Sequence, residues 1–537
     1  MTVPLQQANI LIIDDFQGMR TMLREFVKSM GVTKVDTAGN GKDAMNQLRM
    51  TKYDIVICDY NLGPGQNGQQ ILEEAKLRKY IGVSTIWVMV TAEKTPEMVM
   101  GAAEIKPDDY LLKPINQGLL ESRLEKLIAR KLSLNGIETA IKARNYPAAI
   151  AQCDQQLEAQ ALHPQEILRI KSDLLLTIGD YETAKALFDS VLAARSVPWA
   201  KTGLGKLHFH AGEYARAKEI FQEVLAENSM YMDSSDWLAK SLDALGDTEQ
   251  AQQVLLDAVK LSPNSPTRQK TLGETAYKNG ALDVAQAAFE KTIKISEFSS
   301  HKNPAVYAGL AKVFSDKDSP EEALKILEQS KSAFKGNPEA AMQTAAAESL
   351  VYHKIGQSEK AEAAMANAER LMDELSGKVN ADVAMEMAKS LFKLGKKDKA
   401  CGLLRNVIKN NHENAGISSQ IQAVFESEQL GAEGLALVNE SRQEVVNINN
   451  QGVMLAKEGN LLEAATLLRK AVENLPNNEV IIMNLCGLLI GLMSKEGKNE
   501  AMVLEAKQLL DRVQDLNPAN KKHHEYANAL ARIAGDK

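Results

Sequence analysis

The chain has only four cysteines, Cys58, Cys153, Cys401 and Cys486, and no two of them stand in a CxxC pair. That scatter excludes a disulfide framework and gives no zinc-ligand spacing, so the thiols read as core residues. Aromatics are sparse, at 5 %. With Ala, Leu, Lys and Glu abundant, this composition leans towards helix. Cationic excess is also missing: the formal charge is −7, so there is no overall attraction to a phosphate backbone, and nucleic-acid binding is not expected. No apolar stretch is long enough for a bilayer, since the longest, "VIIMNLCGLLIGLM" at 480–493, is interrupted by Asn484 and reads as a helix buried between neighbours. The opening "MTVPLQQANI" lacks a basic region followed by an apolar one, so neither a secretory signal nor membrane insertion is expected, and the reading is cytoplasmic.

At 537 residues the chain is several times the usual domain size, which calls for several domains or an elongated array. In the first 131 residues apolar runs alternate with helix-length segments: "NILII" at 9–13, "KVDTA" at 34–38, "DIVIC" at 54–58, "TIWVMV" at 85–90 and "DYLL" at 109–112. Five strands separated by helices imply a doubly wound α/β domain with a parallel sheet covered on both faces. In such sheets chemistry gathers at the carboxyl ends of the strands.

Those ends carry Asp14 and Asp15 after the first strand, Asp59 after the third, Thr91 after the fourth and Lys113 after the fifth. Any single acid there could simply cap a strand or begin a helix. Five matching positions are harder to dismiss: three clustered carboxylates repel one another unless a cation neutralises them, and Mg²⁺ is the natural hard-oxygen choice. A metal beside a nucleophilic carboxylate, with a hydroxyl and an ammonium aimed at the same place, is equipment for accepting a phosphoryl group.

The segments "ILIIDDF", "DIVICDYNLG", "VMVTAE" and "DYLLKP" resemble the flavodoxin-like receiver domain of bacterial two-component response regulators, and "DDFQGMR" with "TAE" is similar to the chemotaxis-type receivers. The resemblance implies that Asp59 accepts the phosphoryl group from a sensor histidine kinase or a small phosphodonor. It further implies that Asp14, Asp15 and Asp59 hold Mg²⁺ together with the backbone carbonyl of Asn61. Thr91 and Lys113 would contact the phosphoryl group, and Tyr110 would be the aromatic switch. Activation would alter the surface around the fourth helix, fifth strand and fifth helix. The loop "DYNLGPGQNG" departs from the pattern, with Gly63-Pro64-Gly65 and a Gly68 displaced by one position, which bears on how long the phosphoryl group persists.

From 116 to 134 the sequence runs without an internal Pro or Gly beyond Gly118 until Gly136, so a continued helix is expected at the joint. Beyond it, Ala217, Ala251 and Ala285 recur at a spacing of 34 residues. Around them stand the registers Gly205, Gly212, Ala217, Phe221, then Ala239, Gly246, Ala251, Leu255, then Gly273, Gly280, Ala285, Phe289. A small residue lets paired helices approach and the large one fills the groove between them, but one pair cannot bury its own apolar face, so pairs must stack. These registers resemble tetratricopeptide repeats, TPR units, and imply that residues 132–537 form an all-α protein-binding solenoid of about ten to eleven helix pairs. The region 410–440 is degenerate, with Gly434 in the alanine slot.

His208 and His210 form an HxH, but on a helix their side chains diverge, so packing or surface roles are expected of them. The sequence after residue 131 has no Walker A loop, nucleotide-cyclase signature or DNA-binding helix pair. The expected protein is therefore a phosphorelay response regulator without a separate enzymatic domain, whose phosphorylation switches the solenoid's protein partners through receiver docking or homodimerisation. The alternative is a constitutive scaffold whose receiver is a phosphate sink or a kinase-docking module.

Overall fold

The computed structural model describes residues 5–92, 104–132, 134–159, 163–375, 379–517, 520 and 522–535. The chain divides into two compact units, Met1–Leu176 with Asp180–Val306, and Thr177–Gly179 with Tyr307–Lys537. The first unit thus contains the sheet domain together with the leading helix pairs.

Five parallel strands, β1 (Asn9–Ile13), β2 (Lys34–Ala38), β3 (Ile55–Asp59), β4 (Ile86–Thr91) and β5 (Asp109–Leu112), lie in the order β2-β1-β3-β4-β5. Alternation along β1 feeds both faces. Ile10 and Ile12 pack with Leu23 and Val27 of α1 (Gln17–Ser29) and with Leu120, Leu124 and Leu127 of the helix Gln117–Leu132. Leu11 and Ile13 pack with Ala44 and Leu48 of α2 (Gly41–Met50) and with Ile71, Leu72 and Ala75 of α3 (Gly68–Leu77). Each large apolar side chain buried this way contributes about 1.5–3 kcal/mol, which is why the central strands read as unbroken apolar runs. The third and fourth strands end one residue later than their apolar runs, so Asp59 and Thr91 are themselves the last strand residues.

The joint differs from the expected single helix over 116–134. One helix ends at Leu132, Ser133 lies outside the described residues, and a second helix begins at Asn135. Leu134 and Ile137 are buried beside Val83, Lys131 donates to the Val83 carbonyl at 2.7 Å and pairs with Asp108 at 2.8 Å. Glu138 accepts the Ser84 N–H at 2.5 Å. These tertiary bonds fasten the first repeat helix to the loop before β4, and they favour a turn over a straight extension.

Helix pairs follow in the first unit: Pro198–His210 with Tyr214–Glu227, Met232–Ala244 with Thr248–Leu261, and Pro266–Lys278 with Leu282–Ser296. The repeating alanines 217, 251 and 285 are each fully buried. A Cβ on Gly273 would stand 2.7 Å from the Phe289 ring, so only glycine admits that ring. Gly246 and Gly280 adopt positive φ, +82° and +72°, and end the first helix of their pairs where an L side chain would be strained.

In the second unit the same pairing continues, with Ala323 and Leu327, Met365, and Ala400 with Leu404 all buried. The degenerate stretch is resolved by one long helix, Gly431–Lys457, which serves as the second helix of one pair and the first of the next. Gly434 abuts Phe425, where a Cβ would lie 2.5 Å from the ring, so it does fill the small-residue slot. The apolar run at 480–493 lies in the helix Glu479–Glu496, whose Ile481, Ile482, Leu485, Cys486 and Leu489 are buried among neighbouring helices. Among the described residues, no helix is long and apolar enough to cross a membrane.

Candidate functional site

The sheet order puts β1, β3, β4 and β5 side by side, so their carboxyl ends meet along one edge. Backbone bonds hold the loops leaving that edge: the Asp14 N–H donates to Ala38, Tyr60 to Val90 and Lys113 to Thr91, at 3.2, 2.9 and 2.8 Å. Asp14 follows β1 and is buried. Its Oδ1 accepts the Phe16 N–H at 2.9 Å, and Oδ2 accepts from Lys113 Nζ at 2.9 Å. Asp59, 7 % exposed, accepts from the same ammonium at 2.7 Å and from the Asn61 N–H. Asp15 is exposed, and the carboxylate oxygens of Asp14, Asp15 and Asp59 lie within 4.8 Å of one another.

Burial raises the Asp59 carboxyl above its ordinary value, and the nearby Asp14 charge adds to this, although Lys113 opposes it. Burial works against the Lys113 charge too, but the hydrogen bonds to Asp59 and Asp14 outweigh it and hold the ammonium above its ordinary value. One ammonium balances one of three clustered carboxylates. The residual negative charge, with two of the acids buried and the third open to solvent, suits a divalent cation taking oxygen ligands and retaining water.

Thr91 ends β4, is 3 % exposed and stands between Asp59's strand and Lys113's. Tyr110 turns inward among Cys58, Trp87 and Met89. Its hydroxyl is buried without a hydrogen-bond partner among the described residues, and burial raises its pKa. Residues 93–103, which include Glu93 and most of the stretch expected to hold the fourth helix of the switch surface, lie outside the described residues.

Gly68 begins α3 directly against Asp59. A Cβ there would overlap the Asp59 carbonyl oxygen and stand 2.9 Å from Cys58 Sγ. The start of α3 is fixed by a capping box in which the Asn67 side chain accepts the Gln70 N–H and the Gln70 side chain accepts the Asn67 N–H, so the loop 60–67 is held at both ends. The two histidines of the HxH serve separate neighbours, His208 pairing with Glu213 at 2.5 Å and His210 stacking on Tyr181.

Local patterning gave no sign of a second set of polar groups that joins the sheet domain to the helix pairs. Arg268, 3 % exposed, donates to Asp236 through Nε and Nη2 at 2.7 and 2.9 Å and to Glu104 through Nη1 at 3.0 Å. Glu73 pairs with His301 at 2.8 Å. Arg268 and Glu104, like Glu73 and His301, are more than a hundred residues apart, and no spacing rule links them.

Comparison with known proteins agrees with this arrangement. Residues 10–125 match the response regulator receiver domain, and residues 171–232, 209–274 and 382–411 match tetratricopeptide repeats. The chemotaxis protein CheY-3 of Vibrio cholerae serotype O1 is 29 % identical over 121 residues, covering 22 % of this chain and 92 % of that protein. The chemotaxis protein CheY of Pseudomonas aeruginosa is 29 % identical over 121 residues, 22 % of this chain and 96 % of its own. A solved structure of the chemotaxis response regulator CheY4 of Vibrio cholerae is 25 % identical, covers 22 % of this chain and 98 % of that one, and gives a TM-score of 0.21. The N-terminal segment is a response regulator receiver domain. Tetratricopeptide repeats follow it in the same chain.

Proposed function

We propose that this chain is a cytoplasmic phosphorelay response regulator in which phosphorylation of Asp59 switches the protein partners of the repeats. The observation that carries the reading is the convergence of Asp14, Asp15, Asp59 and Lys113 at one strand edge. Asp14, Asp15 and Asp59, with the backbone carbonyl of Asn61, would hold Mg²⁺, which when bound supplies charge neutralisation to the incoming phosphoryl oxygens. Asp59 is the nucleophile. A bond forms between its carboxylate oxygen and phosphorus while the P–N bond of a kinase phosphohistidine, or the leaving-group bond of a small phosphodonor, breaks, and the leaving group takes up a proton.

Lys113 is already directed at the acceptor oxygen and stays to pair with the added charge. Thr91 offers a hydroxyl from the adjacent strand end, and Tyr110, whose buried hydroxyl has no hydrogen-bond partner among the described residues, is the aromatic side chain that changes position. Phosphorylation acts only through differential interaction with two arrangements of the chain. A homodimer formed in one of them, or a partner bound by the repeats in one of them, is the output.

The test is affinity capture with full-length protein and with the 132–537 segment, each with and without Mg²⁺ and beryllofluoride as the phosphoryl mimic. A captured set that changes with the mimic, and fails to change in Asp59→Ala, supports the switch. The same set in every condition contradicts it.

A further inference from the structure

Besides the joint, where Val83, Ser84 and Arg130 meet Leu134, Glu138 and Glu166, the receiver touches the repeats of its own unit at two further places among the described residues, and each is the continuation of a strand that ends in the acidic pocket. From β3 the chain passes Asp59, turns through the loop 60–67 and enters α3. Gln66 Nε2 donates to the Phe298 carbonyl at 2.6 Å, Gln70 Nε2 donates to the Ile295 carbonyl at 3.0 Å, and Glu73 pairs with His301. From β4 the chain passes Thr91 and re-enters the described residues at Glu104, whose carboxylate accepts from Arg268 Nη1, a group shared with the Ser262 carbonyl, while Asp236 takes Nε and Nη2. Lys106, two residues on, has its pKa held below its ordinary value by burial and by Arg169 of the repeats, with Asp233 and Asp173 opposing. Asp236 and Arg268 lie on the first helices of two successive pairs, Met232–Ala244 and Pro266–Lys278.

The helix after β5 meets the repeats near its end, where Arg130 pairs with Glu166 at 2.5 Å, and its first turn and β5 keep apolar side chains open. Leu112 and Leu119 remain exposed at 43 % and 37 %. The loop from β3 has little slack, because Gly68 is pressed against the Asp59 backbone and the Gln66 side chain leaves no room for a Cβ on Gly41. Gln70 is committed twice, once to the cap of α3 and once to Ile295. A phosphoryl group on Asp59 adds volume and charge at the root of both connections.

We infer that the receiver is the resident ligand of the repeats, docked through α3 on the end of the helix Leu282–Ser296 and the turn after it and through Glu104 on Arg268, and that docking and phosphorylation of Asp59 oppose each other. This rests on the reading of Asp59 as phosphoryl acceptor. Any partner that uses Arg268 must displace Glu104, and phosphorylation assists it. By linkage, whatever factor beryllofluoride takes from docking, loss of docking returns to beryllofluoride affinity.

The experiment uses full-length protein with two readouts, beryllofluoride affinity in the presence of Mg²⁺ and amide hydrogen exchange over 70–77 and 296–301. Glu104→Gln and Gln70→Ala both loosen docking and leave Arg268 paired with Asp236, so neither strands a buried charge. Expected is beryllofluoride binding at least about five-fold tighter in each variant than in the unsubstituted chain, the lower end of ordinary coupling between sites. Faster exchange on adding the mimic to the unsubstituted chain should accompany it. Equal affinities, or exchange that the mimic leaves unaltered, overturn the inference while leaving Asp59 as acceptor intact. Failure of the unsubstituted chain to bind the mimic at all with Mg²⁺ instead overturns the functional reading, and the inference with it.

Discussion

The ammonium of Lys113 lies between two carboxylates, 2.7 Å from Asp59 Oδ2 and 2.9 Å from Asp14 Oδ2. It is the cation that lets two buried acids share one strand edge, and it occupies ground that a divalent ion would otherwise neutralise. Lys113→Ala should therefore destabilise the receiver by about 3 kcal/mol without metal, the usual result of stranding buried charge. Millimolar Mg²⁺ should restore much of this. Hydrogen exchange of the sheet amides, with chelator and with Mg²⁺, reads both effects; equal protection in variant and wild type under chelator contradicts the assignment.

Gly68 has no space for a side chain against the Asp59 backbone. Gly68→Ala must move either the start of α3 or Asp59 itself, and the expected cost is about 2–3 kcal/mol, in the range of overpacking a tight site. Beryllofluoride binding should weaken with it, because the acceptor carboxylate loses its position. A variant with unchanged melting and binding would mean that the loop yields freely.

In the repeats, Gly273 and Phe289 are a matched pair. Gly273→Leu should cost about 2 kcal/mol by overpacking and Phe289→Ala about 4 kcal/mol by leaving a cavity. The double variant should be less destabilised than the two single changes added together, since the new leucine fills part of the space the ring leaves. Chemical denaturation followed by helix content measures this, and strict additivity contradicts the pairing.

The pair between His301 and Glu73 has a definite pH sign. The hydrogen bond that His301 donates to the Glu73 carboxylate raises the His301 pKa above its ordinary 6.5, with burial opposing. A raised cationic pKa contributes stability in full below 6.5, and the contribution is lost as pH climbs through the higher folded value. Glu73→Gln should therefore lower the melting temperature of the first unit at about pH 5.5 and have little effect at about pH 8.5. Because both side chains are partly exposed, the effect should not exceed about 1 kcal/mol.

The order of legibility follows the range of the interactions. All five strands and the placement of Asp14, Asp15, Asp59, Thr91 and Lys113 at their ends could be read locally, because a strand buried on both faces must be apolar and its end must be where polarity resumes. The glycine, alanine and aromatic registers of the repeats were legible for a similar reason: Gly273 exists because Phe289 needs its space. What escaped was set by distant partners. Lys131, Leu134 and Glu138 gain their bonds from Val83 and Ser84, which turns an expected continuous helix into two. The uninterrupted helix Gly431–Lys457 was missed because a repeat boundary without glycine or proline carries no local mark. Glu104 and Arg268 meet only once both domains are folded.

The central claim is that Asp59 accepts a phosphoryl group with the help of the acid cluster. Full-length protein incubated with a small phosphodonor, with Mg²⁺ or with chelator, can be digested and examined by mass spectrometry beside Asp59→Asn. The account predicts one phosphoryl group on the peptide containing Asp59, dependent on Mg²⁺ and absent from the variant. Equal labelling of Asp59→Asn, or no labelling of the unsubstituted chain with Mg²⁺ present, would contradict it.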